Sequence, residues 1–376
     1  LALAAVAAAL LFQCAAVHFQ YAGQWTGLFH HGQRWKLPEE LRETYRHPDL
    51  SGYDGQFYRL AAHDPFNRKG YSQYMDNPVY RRQRVLVPLL AWTAALGRPA
   101  WTDAAYIAVI NGFVFIGVWL CARLARSWAR HPAWGVAFLV MPATLNSLDR
   151  MLPDLALLAA MSGFLLWRGR RPAVAWACVT AAVLVRDLGL LVLAGAIAEA
   201  GWRRRWIQAL AYATAAFPAY FWWTYCSGMS GPASSRSPSG WLGSAPFYGF
   251  LERFAEPVSY STRFAPVFQA LDAAVMISLP AAAVAAVWCW WRKRDGPVEW
   301  QALSGASLAL LASNPVFLGD SASYPRAFSL LLYPLALIAL ETGRWIYALP
   351  CAILSIRLAL ALGGILFRAV MNGSAV

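Results

Sequence analysis

Charge is what this sequence has least of. Of its 376 residues only 14% are Asp, Glu, Lys or Arg, against 59% apolar and 14% aromatic, and the mean hydropathy is +0.41. Soluble domains carry about 25% charged residues, so a water-soluble globule is excluded. Acids are scarcer than bases, 19 against 32. The bases stand in short clusters at the ends of apolar runs and not along one stripe, which argues against nucleic acid as a partner and fits the positive-inside rule of membrane proteins. Paired cysteines are missing too: Cys14, Cys121, Cys178, Cys226, Cys289 and Cys351 show no CxxC or Cys/His spacing, so neither a zinc site nor a redox pair is indicated. His18, His30, His31, His47 and His63 fall in or beside the first loop without metalloprotease spacing and read as loop histidines. No fixed-period repeat is evident.

Long apolar runs fill the space between the charges. They are read at 1–17, 85–97, 104–122, 133–148, 151–167, 173–200, 206–226, 264–291, 299–318, 325–340 and 345–367. A crossing needs about 20 apolar residues, so the chain is expected to be an all-α polytopic membrane protein of about eleven transmembrane helices. The first run is taken as a retained helix and not a signal peptide, because no small-residue cleavage site precedes His18. Orientation follows from Arg123/Arg126/Arg130, Arg168/Arg170/Arg171, Arg203/Arg204/Arg205 and Arg292/Lys293/Arg294, all assigned to the cytoplasmic side. Segment 173–200 cannot then cross once, since its flanking arginine clusters would fall on opposite faces; it must turn back at Arg186-Asp187. By the same logic 133–148 and 151–167 form a hairpin whose tip, Asn146–Arg150, faces outward. The 13-residue segment 85–97 is read as dipping into the outer leaflet, with a full crossing as the alternative. Arms this short leave a water-filled cavity at the outer face. The resulting units are a first helix (1–17), an outer loop (18–84), a transmembrane core with short hairpins (85–226), a flexible outer loop (227–263) able to act as a lid, and C-terminal helices (264–376).

The first outer loop has the most distinctive text, Tyr53-Asp54-Gly55-Gln56-Phe57-Tyr58-Arg59-Leu60-Ala61-Ala62-His63-Asp64-Pro65-Phe66. Phe57, Leu60 and Ala61 recur at helical spacing, which predicts a short amphipathic helix on the membrane surface. Asp54 falls at its start. Taken alone, an aspartate before a glycine is most simply a cap or turn.

The chain resembles the GT-C superfamily of membrane glycosyltransferases, in particular bacterial relatives of the lumenal mannosyltransferases. The likeness rests on Tyr53-Asp54, the Arg84-Val85-Leu86-Val87-Pro88-Leu89-Leu90 run, Asn111, Arg123-Leu124-Ala125-Arg126, Met141-Pro142-Ala143-Thr144, Leu152-Pro153-Asp154 and Val185-Arg186-Asp187-Leu188-Gly189-Leu190-Leu191. It spans roughly residues 1–215 and is carried by the order and spacing of short motifs. Asp187 and Leu188 depart from the usual pattern, and so does the Tyr-Asp-Gly-Gln start. The resemblance implies a GT-C-like bundle with a helical first outer loop, in a bacterial inner membrane, its site facing the periplasm or exterior. The implied reaction is inverting transfer of a sugar from a polyprenyl-phosphate donor to a glycan, lipid or protein acceptor of the cell envelope, with membrane lipids as further partners. Such a reaction needs a carboxylate to take the acceptor proton, for which Asp54 is the candidate. It also needs cationic donors for the leaving phosphate, and Arg82, Arg84, Arg186 and Arg326 are the candidates. Tyr53, Gln56, Tyr58, Asp149, Asp154, Asp187 and Tyr324 are candidates for binding sugar or acceptor. The acids also have the chemistry to share a divalent cation, Mg or Mn, with Asp54, so the metal is left open.

Each residue has a plainer reading. Arg186 and Asp187 neutralise one another between two half-helices, Arg326 anchors a helix at the interface, and Arg81, Arg82 and Arg84 meet lipid headgroups. Two other functions also stay open. A transporter or flippase of a lipid-linked precursor would use intramembrane charges near the midplane and two related halves; a non-catalytic partner in envelope assembly would need neither.

Overall fold

Proline sets where many of the helices begin. In the computed structural model the described residues are 1–48, 51–228, 245, 247–260, 264–311, 314–319 and 323–373, and their regular structure is helical apart from one isolated bridge, Gly32 to His47. The chain runs through α1 (Ala2–Gln20), α2 (Gly55–His63), α3 (Pro78–Gln83), α4 (Leu86–Ala94), α5 (Pro99–Ser127), α6 (Pro142–Arg150), α7 (Asp154–Trp167), α8 (Pro172–Val185) and α9 (Gly189–Trp202). It continues with α10 (Trp206–Ala213), α11 (Phe217–Gly228), α12 (Tyr248–Ala255), α13 (Ala265–Arg292), α14 (Pro297–Leu311), α15 (Pro315–Gly319), α16 (Ser323–Thr342) and α17 (Leu349–Gly373). Pro99, Pro142 and Pro172 open their helices, where the missing N–H costs nothing and the fixed φ is already helical.

Among the described residues, five stretches are long and apolar enough to cross a bilayer: Ala2–Gln20, Pro99–Ser127, Ala265–Arg292, Ser323–Thr342 and Trp345–Gly364. The reading of about eleven crossings is finer than these lengths support. Segment 133–148, expected as one arm, is divided: a 3-10 stretch covers Pro132–Val140 and α6 restarts at Pro142. Met141 between them is extended (φ −61°, ψ 136°), as the residue before a proline tends to be. Segment 206–226 is likewise broken by a 3-10 turn at Thr214–Ala216. Segment 85–97 yields only the nine residues of α4, about 14 Å, too short to cross. Most of the segment expected as a lid, Ser227–Gly243, lies outside the described residues; α12 follows it.

The expected turn at Arg186-Asp187 is present: α8 ends at Val185, α9 begins at Gly189, and the two pack together. Gly189 is required there, because a Cβ would lie 2.0 Å from the carbonyl oxygen of Ala182.

The arginine clusters meet at one end of the bundle. Arg168 pairs with Glu199 at 2.9 Å, Arg203 with the same Glu199 at 2.7 Å and with Asp295 at 3.8 Å, and Lys293 with Glu341 at 2.6 Å. Arg130 completes the row by donating to the Leu340 carbonyl at 2.9 Å. From this basic end α7, α8 and α9, each of 14 residues, run only about 21 Å to their other ends, less than the roughly 30 Å hydrocarbon core. Those other ends, with the start of α16, carry Asp154, Arg186, Asp187 and Arg326.

The loop 18–84 is tied onto that second end. All nine residues of α2 are buried, so it is not the surface helix that its periodicity predicts. Phe57, Leu60 and Ala61 pack with Leu41, Tyr71 and Met75 in a small core of the loop, while Tyr58 and Ala62 join the main core. Arg59 makes a two-pronged bond to Asp103 of α5 at 2.7 Å, and His63 adds 2.9 Å to the same carboxylate. A periodicity that suits one apolar surface also suits a helix held between two cores. Gly55 fits because its Cα lies against the chain at α6: a Cβ there would come within 2.1 Å of the Arg150 carbonyl oxygen.

Candidate active site

Asp54 does not cap α2. It stands at the N-cap position but makes no side-chain capping bond; its Oδ1 lies 2.8 Å from Arg81 Nη1, and its Oδ2 accepts from Arg326 Nη2 at 2.5 Å. The plain cap reading therefore gives way to an ion pair that joins the first loop to α16 across 272 positions.

From Asp54 the charges alternate without a gap. In one direction Arg81 grips Asp76 through two bonds of 2.8 and 2.7 Å. In the other, Arg326 Nη1 faces Asp154 Oδ2 at 3.7 Å, Asp154 pairs with Arg186, Arg186 Nε lies 3.7 Å from Asp187, and Asp187 accepts from Arg84 at 3.2 Å. Arg84 also donates to the hydroxyls of Tyr58 and Tyr80. The Tyr53 ring adjoins this chain, with Arg326 at 5.3 Å and Arg150 at 4.3 Å from its centroid, and its hydroxyl is 3.0 Å from Ser323 Oγ at the head of α16. Tyr324, one residue on, is buried.

Burial alone would raise the Asp54 carboxyl, but Arg81, Arg326 and Arg84 outweigh it and hold it well below the usual carboxylate range. Asp187 is treated alike: burial pushes it up and Arg84 and Arg186 bring it down. A depressed carboxylate contributes its stabilisation in full above its unfolded value of about 3.9 and loses it as pH falls from there toward the folded value. The difference in melting temperature between the wild type and Asp54→Asn should therefore be constant from pH 8 to about 5 and shrink below about pH 4. A difference that already decays between pH 7 and 5 would contradict the clamp.

Several buried donors in this cluster have no hydrogen-bond partner: Arg84 Nε, Arg186 Nε, and Arg326 Nε and Nη1, together with the acceptor Asp154 Oδ2. Buried polar groups are nearly always satisfied, and each one left open costs roughly 1–3 kcal/mol, more when charged. Three guanidiniums with open N–H groups have the chemistry to receive an anion with several acceptor oxygens. Among the described residues no group of three His, Cys, Asp or Glu is arranged to hold a metal ion; here each acid is separated from the next by an arginine.

Of the residues singled out from sequence, Tyr53, Asp54, Tyr58, Arg84, Asp154, Arg186, Asp187 and Arg326 come together, and Tyr324 adjoins them. Three lie elsewhere. Arg82 is engaged by the loop itself, bonding the carbonyls of Asp64 (2.5 Å) and Pro65 (3.1 Å), Ser72 Oγ (2.9 Å) and Asn67 Oδ1 (3.1 Å). Gln56 braces the same loop, accepting from Gly32 N–H at 3.1 Å and donating to the Ser51 carbonyl at 3.0 Å. Asp149 pairs with its neighbour Arg150 at 3.0 Å, and burial raises its carboxyl. Sequence reasoning missed Asp76, and it placed Arg81 with Arg82 and Arg84 at lipid headgroups without setting it beside Asp54. For Arg81 a signal existed in the spacing of three to Arg84, which at helical periodicity sets the two on one side and Arg82 on another, although α3 itself ends at Gln83.

Comparisons of the chain with protein-family models, with curated proteins and with solved structures give no match.

Proposed function

We propose that the protein is an inverting glycosyltransferase that moves a sugar from a polyprenyl-phosphate donor to a cell-envelope acceptor at the outer face of a bacterial inner membrane. The observation that carries this reading is the adjoining pair of features at the second end of the bundle: a carboxylate held by two arginines, and buried guanidinium donors open to an anion. In the reaction, the acceptor hydroxyl oxygen attacks the anomeric carbon as the bond from that carbon to the phosphate oxygen breaks. The hydroxyl proton passes to Asp54. The electron pair leaves with polyprenyl phosphate, whose growing charge Arg84, Arg186 and Arg326 receive.

The depth of the site supports a lipid-borne donor. It stands about 21 Å from the basic end, so a polyprenyl chain reaches it from within the bilayer. A transporter is less well supported, because the charges gather at helix starts, with Asp154 first in α7 and Arg326 fourth in α16, and not at helix centres.

The direct test incubates the purified protein in lipid nanodiscs with polyprenyl-phosphate-linked mannose, glucose and arabinose, using an envelope lipid extract as acceptor. One donor is expected to be consumed, with release of polyprenyl phosphate and label in the acceptor fraction. No consumption of any of the three overturns the proposal.

A further inference from the structure

A second polar constellation, beside the one above, has no part in that chemistry. A cavity of about 150 Å³ lies among α12 and the segment after it, the first turns of α13, and Leu318, Gly319 and Tyr324. One wall is a closed triad: Asp272 of α13 accepts from Arg357 Nε of α17 at 2.7 Å and from the Tyr260 hydroxyl, and Arg357 Nη2 donates to that same hydroxyl oxygen at 2.8 Å. Ionisable groups on membrane helices are costly and are the first places to look for function. Here the triad neutralises its own charges and fixes Tyr260 as a wall. The Phe254 and Tyr324 rings add apolar surface, and Arg253 and Gln269 bring polar side chains, the Gln269 Nε2 already donating to the Val258 carbonyl at 3.4 Å.

Size and lining narrow the occupant. At about 150 Å³ the space falls below the roughly 300–1,000 Å³ of sites for drug-sized ligands, which fits one small ring better than an oligosaccharide. An acyl chain has no use for a carboxylate–guanidinium–phenol wall, and a free phosphate would face Asp272. A sugar ring has C–H faces that pack on aromatic rings and an edge of hydroxyls that both donate and accept. Position adds the last argument. Tyr324 lies on the same helical turn as Ser323, which is bonded to Tyr53, and Arg326, which is bonded to Asp54. A ring seated against Tyr324 therefore lies at the same end of α16 as the base.

We propose that this cavity binds a single sugar ring of the acceptor, which makes the acceptor a glycoside or glycolipid; the word acceptor rests on the transferase reading, whereas the sugar site does not. The test is saturation-transfer NMR on the protein in nanodiscs with methyl α-mannopyranoside, methyl α-glucopyranoside and methyl β-galactopyranoside. At least one should bind at millimolar concentration. Gln269→Ala, at an exposed rim position, should weaken binding about tenfold, the effect of one lost hydrogen bond of about 1.4 kcal/mol. Ala273→Phe should abolish it by filling the space. Failure of all three glycosides to bind overturns the proposal, as does binding that neither substitution changes; if Ala273→Phe does not fold, Gln269→Ala and Arg253→Ala decide the matter in the same way. A protein that binds a glycoside but consumes no donor in the transfer assay keeps the sugar site and loses the transferase reading. One that consumes donor but binds no glycoside does the reverse.

Discussion

Asp54→Asn is expected to reduce sugar transfer by about 10²- to 10⁴-fold, the range over which positioned acid–base groups act, while donor binding is retained. Asparagine keeps the shape and can still accept from one arginine through its amide oxygen, so the fold around Arg81 and Arg326 survives in outline. It cannot take up a proton. The loss should therefore fall on kcat, with a KM for the donor no higher than that of the wild type. Asp54→Glu separates placement from charge: the longer side chain keeps the carboxylate but moves it against Arg81 and Arg326, and it should recover only part of the rate. The measurement is initial-rate transfer at several donor concentrations, and undiminished activity in Asp54→Asn removes the base from the mechanism.

Arg326→Met should have the largest effect on stability. Arg326 joins Asp54 of the first loop to Asp154 of α7, and the exposures of the three side chains are 7%, 16% and 3%. Removing this cation leaves Asp54 with Arg81 alone and Asp154 with Arg186 alone, two largely buried acids short of a shared partner, and breaking a buried pair from one side costs about 3–5 kcal/mol. A drop of that size should be seen in thermal unfolding in nanodiscs and as faster proteolysis of the 18–84 loop. Arg326→Lys tests the fork as distinct from the charge. A lysine ammonium presents its three N–H groups from one nitrogen and cannot reproduce the planar spread by which the guanidinium reaches Asp54, Asp154 and a phosphate from separate nitrogens. Its loss of one charge-assisted bond, about 1.5–3 kcal/mol, should weaken donor binding roughly ten- to a hundredfold while much of the stability returns. If Arg326→Met melts like the wild type, the tie between loop and bundle is carried by other contacts.

Much of this arrangement could be read from sequence because lipid makes charge rare. Where every ion costs several kcal/mol to bury, Arg186-Asp187 in the middle of an apolar run announces a turn, and four arginine clusters announce a face. The turn is present, and Arg130, Arg168, Arg203 and Lys293 do gather at one end. Spacing does not say which acid meets which base across 100 to 270 positions, so the bond from Arg326 to Asp54 and the chain of pairs that follows had no local signature. Local reading also failed where one residue serves the scaffold. Arg82 and Arg84 differ by two positions, yet the former faces loop carbonyls and the latter faces Asp187 and two tyrosines. The length of an apolar run misled for a similar reason: Pro142 divides one that hydropathy alone sees as continuous.

Four arginines and four aspartates make up the alternating chain, so their formal charges cancel while nothing is bound. An arriving phosphate then meets no surplus of positive charge: the open N–H groups of Arg84, Arg186 and Arg326 can receive it, but the charge of each guanidinium is shared with an aspartate already in place. If the one displaced from Arg326 is Asp54, the carboxylate is freed, and its affinity for a proton rises, as the anion settles. On the transferase reading, seating the donor and arming the base would then be one event.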